Sequence, residues 1–295
     1  MVRAKTWLVI PALALAAAAL AFAARHTPET AVCVGALGAA LAAAVRAFTG
    51  PSAAAAVAAT AASLLGVLGV LELPDLDVAR ASLASAAGMF AVAELVRPLP
   101  PDASPWPALG AALAAVVIDP AFATLLAVAG VRYVTGPWPQ PRWALLVPAA
   151  GALAIAIAAI TATLHTRSAI LDDLWAYWAA RGATASDPLA IVTSLGDLLG
   201  PVTAVVALAG LGTCALRGRI PASAVLGVAV GALAIDLATG VSGAATLVCA
   251  ALGAGVGIAR FAAMIRWPAG QAFVGAAVGV MLVVAPVWTL ADAIW

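Results

Sequence analysis

Charged side chains are scarce in this sequence. Asp, Glu, Lys and Arg make up 9% of the 295 residues, whereas soluble domains carry about 25%. A soluble fold of this length could not cover its surface with so few. Charge of one sign is lacking as well: 14 Lys and Arg stand against 13 Asp and Glu. No basic cluster exceeds two or three residues, so nothing offers nucleic acid the patch it needs. Cysteine is rare. Cys33, Cys214 and Cys249 lie in separate apolar runs without CxxC spacing, which argues against a thiolate metal site and reads as three small apolar side chains. His26 and His165 both fall outside the apolar runs, which excludes bis-histidine haem ligation within a membrane. No cofactor motif is found. "GAGVGIAR" at 253–260 looks superficially like a nucleotide loop, but it lies within an apolar run with no strand before it. Long polar stretches are missing too, so residues 1–295 read as a single integral-membrane domain with no soluble domain.

What is present is apolar: 65% of the residues are hydrophobic. Runs of about 20 such residues recur from end to end, each long enough to cross a ~30 Å hydrocarbon core. Only helices and closed barrels satisfy their backbone there, and continuous rather than alternating runs select helices. The expected fold is therefore all-α, a polytopic transmembrane helix bundle of about 9–10 spans. The spans are expected at 7–24, 30–48, 53–71, 81–96, 143–164, 189–216, 220–239, 241–260 and 268–291. Tryptophans support these limits. Trp7, Trp106, Trp138, Trp143, Trp267, Trp288 and Trp295 fall near predicted ends, where the half-polar indole prefers the headgroup level. Arg3 and Lys5 followed by an apolar run and "AFA" at 21–23 resemble a signal peptide. The run is long for one, and a retained first helix is the favoured reading.

Residues 106–134 do not fit a plain span. "AAVVIDPAFATLL" places Asp119 and Pro120 at its centre. Proline removes a donor and biases its predecessor away from helix, leaving two apolar pieces, each too short to cross. Positive charge arbitrates between threadings, because Lys and Arg collect in short cytoplasmic loops. With a cytoplasmic N-terminus and a single crossing at 106–134, the inside holds 6 basic residues and the outside 8. If the segment turns back at Asp119-Pro120, the count becomes 10 inside (Arg3, Lys5, Arg46, Arg97, Arg132, Arg142, Arg217, Arg219, Arg260 and Arg266) against 4 outside. A re-entrant or broken hairpin over 106–134 is therefore expected. The Ala-rich composition points to a bacterial inner membrane, multi-pass, with the N-terminus cytoplasmic.

"HTRSAILDDLWAYWAARGATASDP" at 165–188 is the longest stretch not dominated by small apolar residues. Leu171, Leu174, Trp175 and Trp178 share one helical face. Ser168 can cap the start and Gly182 stop the end, giving an amphipathic interfacial helix over 168–181. His165, Asp172 and Asp173 are candidate external-helix site residues. However, neighbouring residues on a helix point about 100° apart, so the two carboxylates face one ion poorly and no metal or catalytic set is assigned. Ionisable groups within spans are functional candidates because each costs roughly 2.5–3.5 kcal/mol on insertion scales. Three stand out as ligand- or ion-binding candidates: Asp119 at the break, Asp197 before Gly200-Pro201, and Asp236 near a span end. Asp119 also suits a helix cap for the N–H groups freed after Pro120. Glu94 and Arg97 are spaced to pair along one helix.

Pairs such as Gly196/Gly200, Gly227/Gly231, Gly253/Gly257 and Gly275/Gly279 let helices approach closely. The expected partners are the lipid bilayer and, through such faces, other membrane proteins. No internal repeat emerges. A transporter-like protein, or a membrane subunit handling a small solute or lipid, fits the broken hairpin and the sparse intramembrane carboxylates. The many helices over 143–292 with an amphipathic external helix resemble the membrane half of polytopic glycosyltransferases that use lipid-phosphate sugars. That resemblance implies a polytopic enzyme or accessory module on lipid-linked substrates, with catalytic carboxylates in the loop after the first span. Here that loop is "RHTPET", with Glu29 alone. A non-catalytic membrane scaffold is the third reading. The sequence leans away from an enzyme.

Overall fold

A computed structural model describes residues 9–24, 26–72, 78–97, 106–135, 202–212, 220–239 and 243–294. Among them the regular structure is helical, without strands. The helices are α1 (Val9–Ala23), α2 (Pro28–Thr49), α3 (Ala53–Glu72), α4 (Val78–Val96), α5 (Trp106–Ile118), α6 (Ala123–Thr135), α7 (Val202–Gly212), α8 (Ile220–Thr239), α9 (Ala244–Ala262) and α10 (Pro268–Ile294). A single 3-10 turn, Pro120–Phe122, joins α5 to α6. Helices α2, α3, α4 and α9 are each long and apolar enough to cross a membrane. The spans expected at 30–48, 53–71, 81–96, 220–239, 241–260 and 268–291 coincide with helices, give or take a few residues. The span expected at 143–164, the interfacial helix at 168–181 and the first part of 189–216 lie outside the described residues.

Local rules set several ends. Thr27, in extended backbone, accepts a hydrogen bond on its side chain from the Thr30 N–H. Pro28 follows at the first position and Glu29 lies in the first turn, where the helix dipole favours an acid. At the other end of α2, Gly50 adopts φ 76° and its N–H closes on the Arg46 carbonyl at 2.8 Å, a left-handed stop that glycine takes without a Cβ penalty. Ser52 then caps α3 by accepting from the Ala55 N–H at 3.0 Å.

Helix α3 is central, packed against α2, α9 and α10, while α2 also packs on α1 and α4. The interior is built largely from alanine, glycine and valine, with Leu37, Leu41, Leu68, Met89, Leu247 and Leu252 among the larger side chains between them. Large apolar side chains such as Leu15, Phe22, Val32, Leu208, Phe273 and Met281 point outward. Lipid tails are as apolar as leucine, so burying such residues gains little in a bilayer. Close backbone approach between small residues supplies the packing instead. The crossing of α7 and α9 is the tightest case: a Cβ on Gly257 would stand 2.5 Å from the Val206 carbonyl oxygen, and one on Gly253 would stand 2.8 Å from that of Ala207. Between α2 and α3, the Ser63 hydroxyl donates to the Gly38 carbonyl at 2.8 Å.

Candidate functional site at a broken helix

The expected interruption at Asp119-Pro120 is present. Helix α5 ends at Ile118, where the Asp119 N–H still donates to the Ala115 carbonyl at 2.7 Å. Pro120 has no N–H, so the Val116 carbonyl lacks its ordinary i+4 donor. The Ala121 N–H turns instead to Asp119 Oδ1 at 3.0 Å, and the Phe122 N–H donates to the Asp119 carbonyl at 3.1 Å. The carboxylate thus caps the second half of the break, the role its position before Pro120 suggests. It does so while 2% exposed.

Two neighbouring helices cover the break by presenting bare backbone. Gly88 of α4 receives the fully buried Phe122 ring: a Cβ there would stand 2.6 Å from Cε1 and 2.8 Å from Cδ1. Gly231 of α8 receives Thr124, whose Oγ1 would lie 2.9 Å from a Cβ on that glycine. The 3-10 turn packs on α8, and α4 packs on both α5 and α6. The interruption is therefore sandwiched between α4 and α8.

Buried hydroxyl groups occur on α4 and at the start of α6. Thr124 is buried, and its Oγ1 has no hydrogen-bond partner among the described residues. The same holds for Ser82 and Ser85 of α4, the latter one turn before Gly88. Reading the sequence for ionisable groups passes over these three. The available signal was hydroxyl residues three apart in an apolar run, and a threonine five residues past the aspartate. A buried hydroxyl in a helix ordinarily bonds back to the preceding turn, as Thr60 does to the Ala56 carbonyl at 3.0 Å. Buried oxygens left over from that pattern are acceptors that a small cation or a polar solute can use.

Asp236 is carried by α8, one turn before its C-terminal end. Asp197, His165, Asp172 and Asp173 lie outside the described residues. Glu94 and Arg97 pair as their spacing suggests, at 3.7 Å, with Arg97 largely exposed. Glu29 sits in the first turn of α2. Trp106 and Trp267 stand at helix starts, 61% and 62% exposed, as expected of headgroup-level indoles. Cys249 is buried and Cys33 partly so, while Cys214 lies outside the described residues. Among the described residues no three His, Cys, Asp or Glu side chains come together.

No family model, curated protein or solved structure matches the chain.

Proposed function

We propose that this chain is a multi-pass membrane transport protein, or a membrane subunit of one. In this reading the Asp119-Pro120 break is the point at which a small cation, a proton included, is held during transport. One observation carries the reading: a carboxylate buried to 2% exposure at an interrupted helix, in a bundle whose other buried polar side chains, among the described residues, are neutral hydroxyls. An interrupted helix in a bilayer must be covered by protein or line a cavity. Its broken ends provide carbonyl oxygens and a negative dipole end suited to cations. Here those groups are Asp119, the carbonyls of the last turn of α5, and the Thr124 hydroxyl.

The reading includes a re-entrant course for 106–134, with the N-terminus and the α9–α10 turn cytoplasmic. Helices α5 and α6 have 13 residues each, about 20 Å at 1.5 Å per residue. Each is too short for a ~30 Å core and the two end to end exceed it, while two halves meeting at depth suit a hairpin. Single cysteines in place of Arg97, Thr135 and Met264, on a background lacking Cys33, Cys214 and Cys249, test the course with an impermeant thiol reagent in intact cells. The hairpin leaves all three unlabelled until the membrane is opened. Labelling of 135 and 264 alone refutes it.

The site itself is tested by the thermal midpoint of the purified chain in sodium chloride, in choline chloride and across pH. Wild type is expected to respond to sodium or to pH, and Asp119→Asn, which keeps a capping oxygen, to lose that response. An Asp119→Asn protein that responds like wild type removes the carboxylate from any cation role.

A further inference from the structure

Among the described residues a groove of ≈ 690 Å³ lies between α7, α9 and α10, and none of its lining residues belongs to the broken helix. Its walls are apolar: Val206 from α7, Ile258 and Phe261 from α9, and Val278 from α10. Its floor is the α7–α9 crossing itself, where Gly210 and Gly257 contribute backbone and no side chain. Phe261 and Met264 are mostly exposed at its rim, Met264 to 79%. One charged side chain lines it, that of Arg260 in the last turn of α9.

The depth of that arginine is fixed by its neighbours. Arg260 is followed by the short turn 263–267, which ends in the exposed Trp267. The turn is held by the Gln271 side chain, which donates from Nε2 to the Ile265 carbonyl at 2.7 Å. Arg266 is exposed on the same turn. A tryptophan and two arginines at the end of a helix long enough to span place this turn at headgroup level. The groove leads from there down into the hydrocarbon, with a positive group at its mouth and an apolar interior. Neither arginine forms an ion pair among the described residues. The helix dipole favours a cation at the end of α9, but it gives no reason for an apolar channel left open beside it among the described residues.

We infer that this groove is a binding site for one molecule of an anionic phospholipid, with an acyl chain along Ile258, Val206 and Val278 and its phosphate at Arg260. A zwitterionic lipid offers the same chain but no net negative charge. A basic group near the surface favours anionic lipid by roughly fivefold, so the preference measures the arginine. The inference stands on the groove alone and does not depend on the role of Asp119.

The full chain, purified in mild detergent, is titrated with 1-palmitoyl-2-oleoyl phosphatidylglycerol or with the phosphatidylcholine of the same chains, and bound lipid is counted by native mass spectrometry. In parallel, a Met264→Cys protein is followed for maleimide labelling with each lipid. Wild type is expected to retain phosphatidylglycerol at least about fivefold better than phosphatidylcholine. Arg260→Gln should bring the ratio close to one, Arg260→Lys should keep most of it, and phosphatidylglycerol should slow labelling at 264. Equal retention of the two lipids by wild type overturns the inference even if no arginine variant folds. So does a preference that survives in Arg260→Gln. Rapid disulfide formation between two Met264→Cys chains, or protection at 264 in lipid-free detergent, assigns the groove to a second copy or to another part of the chain and overturns it equally.

Discussion

The contact of Phe122 with Gly88 makes the broken helix quantitatively testable. Replacing Gly88 with alanine puts a carbon 2.6 Å from Cε1, 2.8 Å from Cδ1 and 3.1 Å from Cζ of the ring. Non-bonded carbons prefer about 3.5–4.0 Å, so ring and α4 must separate by roughly 1 Å. Phe122 cannot tilt away cheaply, because its own N–H is bonded to the Asp119 carbonyl and its ring is fully buried. Overpacking of this kind costs about 1–3 kcal/mol. Shrinking the ring in Gly88→Ala/Phe122→Leu should return part of the loss, with a coupling of about 1 kcal/mol between two touching sites. Gly110→Ala is the control: a Cβ there meets nothing within 4 Å, and alanine is the better helix former. Membrane proteins commonly unfold irreversibly, so the readout is the temperature at which half the monodisperse peak survives heating in detergent. The expected order is Gly110→Ala at or above wild type, then the double variant, then Gly88→Ala. If Gly88→Ala matches wild type, or the double variant is no better than the single, Phe122 does not seat on α4 and the covered break is wrong.

At the α7–α9 crossing, Gly257→Leu should cost more than Gly88→Ala, because the contact is with the Val206 carbonyl and backbone cannot turn aside as a ring can. Loss of the monodisperse peak is the expected result, and a folded Gly257→Leu protein refutes the crossing. Ser63→Ala deletes the hydrogen bond to the Gly38 carbonyl. Interhelical hydrogen bonds in bilayers average only about 0.6 kcal/mol, so its midpoint should fall slightly, well short of the Gly88→Ala shift. A larger drop for Ser63→Ala would mean that polar contacts, not close packing, hold α2 to α3.

The positions of the described helices were legible because the apolar runs are long and their punctuation is local. Thr27-Pro28-Glu29 and Gly50 carry the limits of α2 in their own conformational preferences, and Asp119-Pro120 carries the break. What was not legible depends on partners far along the chain. Nothing near Phe122 announces that its ring rests on Gly88, 34 positions earlier, and nothing near Thr124 announces Gly231. Glycine at helical spacing is so common here that the pairs Gly253/Gly257 and Gly227/Gly231 looked alike. The first is a backbone crossing on α7. In the second, Gly231 receives a side chain, while a Cβ on Gly227 would meet nothing within 4 Å. Ionisable residues were visible because charge is rare in this chain. The buried hydroxyls were not, because serine and threonine cost little enough in a span to be overlooked.

These elements form one causal sequence. A proline after an aspartate interrupts a helix whatever surrounds it. In water the loosened carbonyls would be solvated, but in hydrocarbon they must be enclosed by protein. Enclosure requires neighbouring helices to come within backbone distance, and a side chain at the contact prevents that. Gly88 and Gly231 therefore follow from Asp119-Pro120: each leaves a flat on which a residue just past the break, Phe122 or Thr124, comes to rest. The same enclosure turns a local irregularity into a candidate site, because it keeps the Asp119 carboxylate at 2% exposure. A bundle that needed only to be stable could have continued the helix with alanine. The interruption, with glycines on both sides to cover it, is the feature that stability leaves unexplained and that the proposed cation role would account for.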